Sequence, residues 1–159
     1  NYEVLNEVKI GNNYIDFIVL NGDDYVAVEL QALDTCGSLK HYEDPNGHKP
    51  LCINWKTTAK TIIAQMVSKV RMFKKCGRKV VLVLQNTLLE YFRKNGYIKK
   101  YTFEKNDDLY LLPIAYEGEE LKIVSPISVG IEELIECAFR EEVDDVDSVV
   151  FKRALQNKK

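Results

Sequence analysis

Three oxygen-bearing side chains stand where strands should be apolar. Asp16 interrupts the β-rich stretch of residues 14–20, and Glu29 and Gln31 interrupt residues 25–33. A carboxylate inside an apolar strand costs free energy unless it is paired, protonated or bound to a cation. Glu29 and Gln31 are two residues apart and leave a strand on the same face. Two carboxylates and an amide converging on one surface form a donor set for a hard divalent cation such as Mg2+, which takes oxygen ligands. Such a metal lowers the pKa of its bound water and stabilises charge on a phosphoryl oxygen.

That chemistry requires Asp16 and Glu29 to meet, and the intervening turn decides whether they do. Asn21-Gly22-Asp23-Asp24 is the strongest turn signal in the chain, because Asn-Gly suits the positive φ angles of a tight hairpin. A hairpin there pairs residues 18–20 with 25–27, and the same register carries Asp16 to the neighbourhood of Glu29. Residues 3–10 read as a strand that precedes these two across the Gly11-Asn12-Asn13 turn, which completes a three-strand antiparallel meander. Residues 34–54 are irregular. Residues 55–75 are the clearest helix, with Ile62, Met66, Val70 and Phe73 on one stripe and Gly77 as the C-cap. Residues 80–84 are a continuous apolar run that suits a strand buried on both faces. Residues 87–94 read as a short helix, 109–116 and 121–129 as two strands, 131–142 as an amphipathic helix and 149–156 as a last one. The predicted class is therefore α/β, a mixed central sheet flanked by helices in the order βββ-α-β-α-ββ-α.

Asp16 followed after thirteen positions by Glu29-Leu30-Gln31 resembles the PD-(D/E)XK nuclease signature in its E-x-Q variant. The longer string from Val28 to Ser38, with Asn54-Trp55-Lys56 and Gln65, is similar to the NotI-type restriction endonucleases. The resemblance spans residues 14–85. Ile15 replaces the usual Pro before the first acid, and Gln31 replaces the usual Lys, which removes a base and a positive charge. The resemblance implies a restriction-endonuclease-like sheet and Mg2+-dependent hydrolysis of a phosphodiester bond in duplex DNA, with Mn2+ as a substitute metal. It makes Asp16, Glu29 and the Leu30 carbonyl the metal ligands and gives Gln31 the task of orienting the attacking water or the metal shell. A lysine from the following helix is expected in place of the missing one. Lys56 and Lys60 are the candidates, one helical turn apart. Gln65 is expected to hold a phosphate or support Glu29. The alternative is a catalytically inactive nucleic-acid-binding or scaffold domain with the same fold.

Lys69, Arg71 and Lys74 open a basic stretch without acids that could bind phosphate, and Arg93, Lys94, Lys99, Lys100 and Lys105 form a second. The rival reading is a solvated helix end, where cations are favoured by the helix dipole. The total balance is 22 basic against 24 acidic residues, a net charge of −2, which excludes a strongly basic nucleic-acid coat. With 159 residues, 46% of them hydrophobic, the chain suits one domain, residues 1–159, which the resemblance implies is nuclease-like. The missing initiator Met reads as a fragment lacking N-terminal residues. No apolar run is long enough for a membrane helix. The four cysteines, Cys36, Cys52, Cys76 and Cys137, contain no C-x-x-C pair, so reduced thiols in a cytoplasmic protein are expected and a zinc site is not. His41 and His48 lie in a polar loop and are expected in solvent. Duplex DNA is the expected partner, a homodimer is the simplest way to cut both strands, and no membrane or small-molecule cofactor is implied.

Overall fold

The computed structural model describes residues 2–31, 55–117 and 120–138. The chain opens with three strands, β1 (Glu3–Ile10), β2 (Asn13–Asn21) and β3 (Asp24–Gln31), then a long helix, α1 (Trp55–Lys74). Strand β4 (Val80–Gln85) and helix α2 (Asn86–Lys94) follow. The described part closes with β5 (Leu109–Glu117), β6 (Glu120–Ile123), β7 (Ile127–Val129) and α3 (Ile131–Ala138). The class is mixed α/β, as the pattern predicts. The expected helix at 149–156 and the loop at 34–54 lie outside the described residues.

The seven strands make one sheet in the order β1-β2-β3-β4-β5-β6, with β7 also on β5. The meander is antiparallel, with Leu20 opposite Tyr25 and Phe17 opposite Val28, as the turn demands. The crossovers through α1 and α2 make β3, β4 and β5 parallel. One face of this parallel centre carries Ala27, Val80, Leu82, Leu84, Leu109 and Leu111, all buried. Helix α1 lies over that face. Its buried stripe runs through Ile62, Ile63, Met66, Val70 and Phe73, and the Phe73 ring meets Tyr25 edge-on at 6.2 Å.

Helices α1 and α2 stop in the same way. Gly77 has φ 67°, its N–H bonds the Lys74 carbonyl at 2.9 Å, and the Arg78 N–H bonds the Phe73 carbonyl at 3.0 Å. Gly96 repeats this with φ 71°, donating to Arg93, while Tyr97 donates to Phe92. Each is a glycine-terminated cap that satisfies two orphan carbonyls, and the Phe92 and Tyr97 rings supply the apolar contact that accompanies it.

One element differs from expectation. Residues 121–129 do not form a single strand but two, on the same side of β5. Leu111 faces Ile127 and Ile114 faces Ile123, so two residues of β5 oppose three of the neighbouring ribbon. The extra residue is a β-bulge. Pro126 lies in it and has no N–H to donate, and Pro113 sits across from it. The predicted ββ pair is therefore a βββ group.

Candidate active site

The ladder between β2 and β3 ends at Phe17 and Val28, one step before Asp16 and Glu29. Strand β3 continues to Gln31 on β4 alone. Its Leu30 N–H, left without a strand partner on that side, is taken by the Asp16 carboxylate, Oδ2, at 2.7 Å. Across β1, the residue at the level of Asp16 is Glu7, whose φ of 50° is the described chain's one non-glycine excursion into the left-handed region. Ile15 and Ile18 are both buried although three apart, so strict alternation breaks around Asp16.

Glu29 is 6% exposed. Its Oε2 receives Lys69 Nζ from α1 at 2.5 Å, and its Oε1 is buried with no donor. Burial raises the Glu29 carboxyl above its ordinary value, Lys69 partly offsets this by hydrogen bond and charge, the Asp16 carboxylate raises it further, and the Asp16 main-chain N–H lowers it least of all. Gln31 follows on the same face at the end of β3, half-buried beside Leu84 of β4. Expected and observed geometry agree here: Asp16 and Glu29 share one surface, close enough for each charge to act on the other.

Among the described side chains, the lysine that reaches this pair is Lys69 and not Lys60. Lys69 was expected on a phosphate-binding face, yet its side chain is only 14% exposed and is spent on Glu29. Lys60 is exposed and stands nine positions earlier, about two and a half helical turns, so the two lysines leave opposite sides of α1. The side chain of Lys56 lies outside the described residues. Gln65 is exposed one turn before Lys69 on the same flank. A sequence signal for Lys69 exists: it borders the apolar stripe between Met66 and Phe73, where a long aliphatic stem packs while its head reaches a partner.

Most of the two basic stretches are also committed to carboxylates or carbonyls. Lys74 pairs with Asp108 at 3.0 Å and with Glu132 of α3 at 3.7 Å, which removes it from the expected free phosphate face. Arg78 binds the Asp24 carboxylate and stacks over Tyr25, and Lys79 donates to the Asn106 and Asp107 carbonyls. Arg93 pairs with Glu90, Lys99 with Glu136, and Lys100 with Glu104 and Asp107. Arg71 is exposed. Cys36, His41 and His48 lie outside the described residues.

The donor set that remains is two carboxylates, one carrying an unpaired oxygen, beside a lysine. Among the described residues no three His, Cys, Asp or Glu side chains come together. Mg2+ does not need them, because it is commonly held by one or two carboxylates with water and substrate phosphate completing its shell. The buried, donorless Glu29 Oε1 is the atom that such an ion would satisfy. No family model matches the chain, and neither does any curated protein. Among the described residues no helix is long and apolar enough to cross a membrane.

Proposed function

We propose that this chain is a Mg2+-dependent endodeoxyribonuclease of the restriction-endonuclease type, acting on duplex DNA in restriction or defence within the cytoplasm. One observation carries the reading: α1 delivers Lys69 to Glu29, supplying the positive charge that E-x-Q lacks. The order of acid-bearing hairpin, helix and buried strand agrees with it.

Asp16 and Glu29 would hold the metal, with the Leu30 carbonyl as the main-chain ligand that the resemblance implies. When bound, the ion would supply Lewis-acid neutralisation of phosphoryl charge and a bound water of lowered pKa. Lys69 keeps a cation beside the same carboxylate, where charge grows on an in-line phosphoryl group. Gln31 can orient a water through its amide but cannot take its proton. Asp16 also braces the end of β3 through the Leu30 N–H. A homodimer would set one such site on each strand of the duplex.

The test is nicking or linearisation of plasmid DNA by the purified chain with Mg2+, Mn2+ or chelator. The expected result is metal-dependent cleavage lost in Asp16→Ala and Glu29→Ala, and unchanged cleavage in either variant overturns the reading. A second reading rests on the finding that both acids already have protein partners, Lys69 and the Leu30 N–H. On that reading the fold is a non-cleaving nucleic-acid-binding or scaffold domain. Calorimetry with Mn2+ separates the two, since the module needs no binding at the acid pair.

A further inference from the structure

A cleft of about 510 Å3 opens at the carboxyl ends of the three parallel strands, within the size range of small-ligand pockets. Open α/β sheets bind ligands at this end. Leu30, Val83, Ile114 and Leu121 form its walls, and Tyr116, 73% exposed, stands at its rim. The described residues that line it bring three amides, Gln31, Gln85 and Asn86, and the hydroxyls of Thr87 and Tyr116, with no carboxylate or cation among them.

Two features mark the cleft as more than a gap. Gln85 stands at the N-cap of α2 with no side-chain cap bond, and it lines the cleft. The cleft also adjoins the acid pair through Leu30 and Gln31. Leu30 lines the cleft with its side chain and gives its N–H to Asp16, and Gln31 both lines the cleft and shares the face of Glu29. Because alternate strand residues face opposite ways, a chain crossing the end of β3 can present a phosphate to Glu29 and a flat ring to the Leu30 side.

We infer that this cleft receives a nucleobase of the substrate beside the phosphate that the acid pair would act on. The inference rests on the hydrolase reading for its substrate and names a subsite of it. Apolar walls and an aromatic rim suit the faces of a base, which stack on tyrosine without regard to sequence. Glutamine and asparagine amides suit its edge, because each offers a donor and an acceptor together, the arrangement that reads adenine. A free phosphate fits poorly, since the described lining residues carry no positive charge.

The probe is each of the four deoxynucleosides, which carry no phosphate, titrated into the full chain and followed through its backbone amide signals. Saturable shifts at Leu30, Asn86, Ile114 and Tyr116 are expected, strongest with deoxyadenosine. Tyr116→Ala, at an exposed position, should weaken binding about 5- to 100-fold, and Ala115→Trp should block the cleft. Absence of saturable shifts, equal shifts from inorganic phosphate, or binding untouched by both variants overturns the proposal. The titration needs no metal and no intact acid pair, so Glu29→Gln should still bind the nucleoside. Failure of plasmid cleavage with nucleoside binding retained would therefore remove the hydrolase reading and leave the cleft. Cleavage without nucleoside binding would do the reverse.

Discussion

Among the described residues two polar side chains are buried, Glu29 and Ser128, and the fold treats them oppositely. Ser128 is fully satisfied. Its Oγ accepts the Glu104 N–H at 2.6 Å and faces Asp107 Oδ2 at 2.7 Å, and that carboxylate also holds Lys100 at 2.6 Å. Burial raises the Asp107 carboxyl, but the hydrogen bonds from Lys100 and Ser128 and the charges of Lys100 and Lys79 outweigh it and hold the group below its ordinary value. Glu29 also has a lysine, yet one oxygen is donorless and its carboxyl is held above its ordinary value. A closed network of this kind pins the segment between α2 and β5 against β7. An open one spends stability on a charge that the protein alone does not fully use.

The difference can be broken most sharply by removing each carboxylate. Glu29→Gln should lower metal-dependent cleavage at least about 100-fold, while Asp107→Asn leaves cleavage within about twofold, in plasmid assays at matched protein concentration. Equal losses in the two variants would erase the distinction.

Lys69→Met comes next. It leaves Glu29 buried without its cation and should cost about 3 kcal/mol at pH 7 by urea unfolding. Glu29 has a raised folded pKa, so its charged form destabilises the fold only once pH exceeds the ordinary value near 4.5. The cost of Lys69→Met should therefore shrink as pH falls toward that value, and a cost independent of pH would show that Lys69 acts by packing alone.

The Asp107 network has the opposite sign. Its carboxyl is lowered, so its stabilisation is present above the ordinary value near 3.8 and disappears as pH falls through the folded value. Ser128→Ala should cost about 1–2 kcal/mol at pH 7, with cleavage preserved. The penalty should diminish in acid, where Asp107 becomes neutral. The smallest effect belongs to Lys60→Gln, which should change stability by less than about 0.5 kcal/mol and cleavage by less than about twofold. A large loss of cleavage would return Lys60 to the role its spacing suggested.

Local rules carry far in this chain. The Asn21–Asp24 turn sets the β2–β3 register by itself, because a tight hairpin leaves one way to pair its flanks. The stripe of α1 and the glycine after it define a helix that ends within one residue of expectation. Ser128 was not legible, because a serine in a short strand looks the same whether it faces solvent or a buried carboxylate. The bulge was hidden in part because β6 and β7 lie on the same neighbour, so Pro126 reads as a strand interruption only once the ladder with β5 is seen.

The division for the candidate site follows from range. Sequence alone determined that Asp16, Glu29 and Gln31 would lie on adjacent strands at one end of a hairpin, since side-chain alternation and turn geometry act over a few residues. It also determined that α1 would be rich in lysine and free of acids. Which lysine meets Glu29 was decided only when α1 docked on the sheet. Burying one stripe of a helix rotates every other residue with it, and that rotation carried Lys69 inward to the acid and left Lys60 in water.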